Sequence, residues 1–325
     1  MRVLVTGWPS FLHGEATAGD VRSMCAVADR LSCDGIAHDV VWSPRFAPDG
    51  LRLEDAEPAA YTHVVFACGP LSGWQIEQLH GRYPRSRRIA VGVTVIDASD
   101  PAAAGFDLIL PRDGAGTTAS PDLATRAAVA ATTPVVGVVL APGQPEYGER
   151  RRHQFVHNAL EDWLLGLDCA RLPLDSRLDT TDWRLCATAD QFAALVARTD
   201  LVVTTRLHGL VFALCAGIPA LAVDPVAGGG KVSAQAGVWE WPAVIGADRL
   251  GAGRPREELD RWWTWCRSAA AKERAEQCRA AADAGSPLLQ LLSRHLQDGD
   301  VAGKPRAERA MPSARRPVNP GRPRS

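Results

Sequence analysis

The stretch Thr204-Thr205-Arg206-Leu207-His208-Gly209 sets a fixed cation two residues from a titratable imidazole, between an apolar strand and an apolar helix. A guanidinium binds anionic oxygens in pairs and keeps its charge, while an imidazole moves protons near neutral pH. The pairing suits binding and protonation of an anion. A strand is expected at 201–204 and a helix at 210–216, with Gly217 as the left-handed residue after the helix and Pro219 as its stop. If the segment stays extended, strand alternation turns Arg206 and His208 to one face. The competing reading pairs Arg206 with a carboxylate and uses His208 at a helix cap.

Four further clusters carry chemistry-bearing side chains. Gly228-Gly229-Gly230-Lys231 invites a nucleotide reading, but a P-loop has Ser or Thr after its lysine and an earlier glycine at fixed distance. Val232 and Pro225 stand there instead. What remains is either a mobile loop that brings Lys231 to an anion or a flexible surface turn. His153, His157 and Glu161 are spaced four apart on an expected helix, which sets them on one face. The run Arg150-Arg151-Arg152 beside them repels a cation, so no metal is expected. Residues 141–147 leave the carboxyl end of an expected strand and place Glu146 where ligands collect in open α/β sheets. Trp262, Trp263 and Trp265 could stack sugar rings, but three within four positions cannot share one helix face, so at least one packs into the core.

The elements that must hold these residues alternate. Strands are expected at 3–6, 39–42, 63–67, 89–94 and 107–110, with helices at 21–32 and 73–80. A second series has strands at 134–140, 170–172, 201–204, 220–223 and 244–245, with helices at 154–165 and 189–197. Two β/α series predict two Rossmann-like α/β domains facing a cleft, 1–128 and 129–296, with the boundary in the Ala/Thr-rich residues 125–133. A long helix at 257–284 and a final amphipathic one at 288–297 follow, the latter expected to pack across both domains. The tail 297–325 holds seven Lys/Arg against three acids and almost no apolar side chains, so it is expected to be disordered.

Composition narrows the class. A chain of 325 residues with 46% hydrophobic residues is long enough for two cores. A formal charge of -1 gives no general attraction to polyanions, so nucleic acid is not an expected partner. The eight cysteines show no Cys-x-x-Cys spacing and several sit in apolar runs, which predicts buried thiols. No run is long enough for a membrane span or a signal sequence, and a cytoplasmic protein is expected.

Arg206-Leu207-His208-Gly209, then an apolar helix, Gly217-Ile218-Pro219, the strand Ala220-Leu221-Ala222-Val223 and Lys231, resembles the signature of the polysaccharide pyruvyl transferase family. Gly19-Asp20 ahead of a helix looks like that family's N-terminal Gly-Asp. Asp107 through Asp113 looks like its strand ending in Arg-Asp. The likeness runs over residues 1–295 and is specific around 200–231. It departs from the family in the first glycine-rich turn, 7–19, and after Arg112-Asp113, where the family's serine is missing from Gly114-Ala115-Gly116-Thr117.

The resemblance implies a GT-B-like pair of domains, the N-terminal one on the acceptor side. It further implies transfer of the enolpyruvyl group of phosphoenolpyruvate to two hydroxyls of a sugar or glycan, with release of phosphate and without a cofactor or metal. The donor's carboxylate and phosphate call for permanent cations, and its methylene carbon calls for a general acid. Arg206 would bind the donor and His208 would protonate it, with Leu207 and Gly209 lining the turn and Lys231 supplementing the anion site. Arg112 would be a second anion contact, or else a local partner of Asp113. Asp20 would orient an acceptor hydroxyl, or else cap its helix, and Glu146 would touch the acceptor. Two alternatives stay open: a nucleotide-sugar glycosyltransferase on the same architecture, and a non-catalytic binding or accessory protein.

Overall fold

The computed structural model describes residues 1–114, 116–126, 133–251, 254–282 and 286–300, without the side chains of 298–300. The domain boundary expected after residue 128 and the basic tail from 301 lie outside these residues. The chain divides into two compact units, Met1–Ala131 and Thr132–Ser325.

The first unit is built from β1 (Val3–Thr6), α1 (Ala18–Cys33), β2 (His38–Val40), β3 (His63–Ala67), α2 (Trp74–Arg82), β4 (Arg87–Val95), α3 (Pro101–Ala104) and β5 (Leu108–Gly114). Its strands form one parallel sheet in the order β2-β1-β3-β4-β5. The two-residue period of a strand explains the layering. Leu4, Val64 and Phe66 enter one hydrophobic cluster, while Val3, Val5, Val65 and Ala67 enter another. Short β-branched runs with no polar alternation are what a sheet covered on both faces requires.

The second unit comprises β6 (Val135–Val139), α4 (His153–Leu165), β7 (Ala170–Pro173), α5 (Ala189–Val196), β8 (Leu201–Thr204), α6 (Leu207–Cys215), β9 (Ala220–Asp224), α7 (Lys231–Val238), β10 (Val244–Gly246) and α8 (Ala247–Gly251). Three helices follow: α9 (Pro255–Cys266), α10 (Ala269–Ala282) and α11 (Pro287–Asp300). The parallel sheet runs β10-β9-β8-β6-β7. Each unit thus places its first strand between its second and third, and the order reverses there. In such sheets ligands gather at the carboxyl ends of the two strands flanking the reversal. In the second unit these strands are β6 and β8.

All ten expected strands form, and both units are α/β with a five-stranded parallel sheet. Two helix expectations change. The helix expected at 257–284 is two helices, parted at Arg267 and Ser268. Their buried residues, Leu259, Trp263 and Cys266 on one and Ala271, Ala275 and Cys278 on the other, reach the core only if the axis turns. Helix α6 begins three residues before its apolar run, at Leu207, and ends where expected: Gly217 takes φ +72° just past its end.

Candidate functional site

The turn between β8 and α6 is shaped by hydroxyls and a glycine. The buried Thr204 hydroxyl donates to the carbonyl of Val139 at 2.9 Å and accepts the N–H of Arg206 at 2.9 Å, so the chain bends sharply after the strand. A Cβ on Gly209 would stand 2.2 Å from Thr204 Oγ1 and 3.1 Å from Val139 Cβ. Only glycine lets the first turn of α6 lie this close to β6 and β8. Thr205, also buried, accepts the Ala141 N–H at 2.8 Å and meets His157 Nε2 at 3.2 Å, which ties the loop after β6 and helix α4 to the same turn.

Arg206 is the N-cap residue of α6, with extended backbone at φ −112° and ψ 133°. Its side chain caps nothing. The N–H groups of Leu207, His208 and Gly209 find no acceptor among the described residues, and the first turn holds no acid. An uncapped helix start with unpaired N–H groups and a positive dipole end attracts anions, and the cationic Arg206 is the residue just before it. Because the helix already begins at Leu207, strand alternation stops at Arg206. The expectation that Arg206 and His208 share one face as strand neighbours is therefore replaced by a different geometry: His208 is the second residue of the helix, exposed, and its side chain makes no hydrogen bond to the described residues.

Arg206 has a partner that the sequence reading did not name. Its Nη1 donates to Asp175 Oδ1 at 2.8 Å, and both side chains are about four-fifths buried. Asp175 lies two residues past β7 and also accepts from Arg177, at 2.8 Å from Nε and 2.6 Å from Nη2. Burial raises the Asp175 pKa, but the Arg177 bonds and the charges of Arg177 and Arg206 outweigh it and hold the carboxyl below its ordinary range. Asp175 fixes one edge of Arg206. Its Nε and Nη2 bond to none of the described residues.

Lys231 and Glu146, singled out separately, come together at 4.0 Å. The glycine-rich residues before Lys231 are strapped rather than mobile. Arg150 donates to the carbonyls of Ala227 and Gly229, and Asp248 accepts the N–H of Gly228 at 2.6 Å. Asp224, fully buried at the end of β9, accepts the N–H groups of Val226, Gly230 and Ser233, so the start of α7 is already satisfied by a carboxylate. Lys231 is the first residue of that helix, not part of a loose loop.

His153 and His157 face each other edge to face, ring centres 6.1 Å apart. His153 is buried with neither ring nitrogen bonded. Burial, then the neighbouring imidazole, lowers its pKa, and burial lowers that of His157. Among the described residues no three His, Cys, Asp or Glu side chains are arranged to hold a metal. Trp262, Trp263 and Trp265 all pack on the core, with Trp263 against Trp163 and Trp265 against Trp241.

In the first unit, Asp20 and Arg112 line one cavity of about 580 Å³ with Trp8, His13, Glu15 and Cys68. The cap of α1 is Thr17, not Asp20. Thr17 Oγ1 accepts the Asp20 N–H at 3.1 Å and donates to Asp20 Oδ2 at 2.7 Å. Arg112 has every nitrogen engaged: Nε with Asp113, Nη1 with Asp122 and more distantly with Cys68 Sγ, and Nη2 with Thr94. Its hydrogen bond to Asp113, ahead of that to Asp122, raises its pKa further. Of its two readings, the local one describes this geometry, since two carboxylates balance its charge.

Residues 160–225 match the polysaccharide pyruvyl transferase family. The matched segment holds Asp175, the Arg206 turn and β9. No curated protein matches the sequence. Among solved structures, spinosyn rhamnosyltransferase SpnG complexed with thymidine diphosphate is 12% identical, covering 91% of this chain and 100% of that one, with TM-score 0.33. Heptosyltransferase WaaC of E. coli with ADP is 13% identical over 86% of this chain and 100% of its own, with TM-score 0.27. UDP-GlcNAc 2-epimerase from Methanocaldococcus jannaschii is 9% identical over 88% and 100%, with TM-score 0.30.

Proposed function

We propose that the protein is a pyruvyl transferase that moves the enolpyruvyl group of phosphoenolpyruvate onto two hydroxyls of a sugar or glycan and releases phosphate. The observation that carries this is the open start of α6: three N–H groups that find no acceptor among the described residues, directly after Arg206, whose guanidinium Asp175 holds by one edge. It lies inside the segment that matches the family. A trianionic donor fits a site made of N–H groups and fixed cations.

Arg206 pairs with the donor's carboxylate or phosphate through the edge that Asp175 leaves open. His208, exposed in the first turn, gives a proton to the methylene carbon, which becomes the methyl group. One sugar hydroxyl adds to the cationic carbon, the bond to phosphate breaks, and a second hydroxyl closes the ketal. Of the two hydroxyl protons, one restores His208 and the other leaves with phosphate. Lys231, held near Glu146, adds positive charge, and Leu207 and Gly209 form the floor of the turn. Glu146 is offered to an acceptor hydroxyl. No cofactor takes part.

The test is phosphate release from phosphoenolpyruvate against a panel of glycans, with the ketal followed by proton NMR of its methyl group. Appearance of that methyl signal in step with phosphate supports the reading. Binding of a nucleotide sugar alone, with neither product formed, sinks it in favour of glycosyl transfer.

A further inference from the structure

Helix α11 carries an apolar stripe that the second unit does not use. Leu288, Leu289, Leu291, Leu292 and Leu296 are between 51% and 75% exposed. At about 100° per residue they fall, together with His295, within an arc of about 160°, and Gln290, Ser293, Arg294 and Gln297 lie opposite. The two preceding helices behave differently: α9 and α10 bury Leu259, Trp263, Ala271 and Ala275. Straight after α11, residues 301–325 hold seven Lys/Arg and one acid, Glu308. The first cation, Lys304, is four residues past the end of the helix.

We propose that α11 and the basic segment behind it dock the protein on an anionic lipid surface. The fourteen residues of α11 make a rod about 21 Å long, too short to span a bilayer but suited to lie in its plane with the leucines among the acyl chains. None of the described helices is long and apolar enough to cross a membrane. A short amphipathic helix alone binds weakly and reversibly, and so does a polybasic segment. Joined in one chain they act as two signals, the second binding at the high local concentration set by the first. Charge decides between occupants. A second copy seated on the leucines would bring two strongly cationic segments together with only Asp298, Asp300 and Glu308 of each to oppose them, whereas anionic headgroups complement both features at once. The proposal is independent of the reaction assigned above.

The experiment is vesicle flotation with the full chain, using phosphatidylcholine alone and phosphatidylcholine with phosphatidylglycerol. Binding at least ~10-fold stronger to the anionic vesicles, lost at high salt, is expected. The Leu289→Gln, Leu292→Gln, Leu296→Gln triple variant should lose ~10-fold or more of that binding with its thermal transition little changed, since these side chains are more than half exposed. Replacing Arg315, Arg316, Arg322 and Arg324 by Gln should weaken binding and flatten its salt dependence. No binding by the wild-type chain overturns the proposal. So does equal binding to both vesicle types, or a concentration-dependent dimer in light scattering that the leucine variant abolishes.

Discussion

Asp175 Oδ1 accepts a hydrogen bond from Arg206 Nη1 at 2.8 Å, across 31 residues of sequence and between the ends of two strands that are not neighbours in the sheet. The bond aims the guanidinium by one nitrogen and leaves its other edge for an anion. Removing the carboxylate should therefore change orientation more than charge. Asp175→Asn is expected to raise the KM for phosphoenolpyruvate ~10-fold with a smaller effect on kcat, whereas Arg206→Ala should weaken donor binding ~100-fold or more. Steady-state kinetics and donor titration by calorimetry read both. Equal effects on kcat and KM in Asp175→Asn would mean that the carboxylate acts in the chemical step.

His208 is exposed in the first turn of α6, so its loss disturbs no packing. His208→Ala should lower kcat by ~10²–10⁴, the range of a lost general acid, while donor affinity stays within about threefold. Unchanged turnover removes the acid assignment and leaves Arg206 in place.

Gly209 tests the fold of the turn without touching a charge. A methyl group there would meet Thr204 Oγ1 at 2.2 Å, and neither β8 nor β6 can retreat without breaking the Thr204 to Val139 bond. Gly209→Ala should cost about 1–3 kcal/mol, read as a lower midpoint in urea unfolding. A midpoint equal to wild type would show that α6 can shift away from the sheet.

Acid should destabilise the second unit through its buried imidazoles. His153 and His157 both titrate below the ordinary 6.5, chiefly because burial disfavours their charged forms. The unfolded chain thus binds protons that the folded one refuses, so stability is fully present above about 6.5 and falls as the pH drops from there toward the folded values. His153 also hides two unbonded ring nitrogens. His153→Leu should melt no lower than wild type at about pH 7.5, and its melting temperature should fall less between about pH 6.5 and 5. A steeper acid loss in the variant would contradict the burial account.

Asp224 holds three N–H groups, that of Val226 just after β9 and those of Gly230 and Ser233 at the start of α7, and has no exposed surface. Asp224→Ala should leave those donors unpaired, cost about 2–4 kcal/mol and expose residues 225–230 to limited proteolysis. Cleavage there at the wild-type rate would mean that Arg150 and Asp248 suffice to strap the loop.

The sequence by itself determined the elements. Runs such as Val3 to Thr6 and Leu201 to Thr204 are β-branched and apolar throughout, which only a strand buried on both faces tolerates, and their alternation with helical patterns gave the two parallel sheets. The strand, turn and helix around Arg206 were legible for the same reason, as was Gly217 past the helix end: all depend on backbone preferences within a few residues. What only the tertiary structure decided is which charges meet. Arg206 finds Asp175, Arg112 finds Asp122, and Thr205 finds His157, because the strand order brings segments 10 to 48 residues apart to one edge of a sheet. Sequence periodicity has no term for that distance. The start of α6 at Leu207 belongs with them. It follows from Thr204 turning its hydroxyl to Val139 on a neighbouring strand, and it leaves the N–H groups next to Arg206 without an acceptor among the described residues.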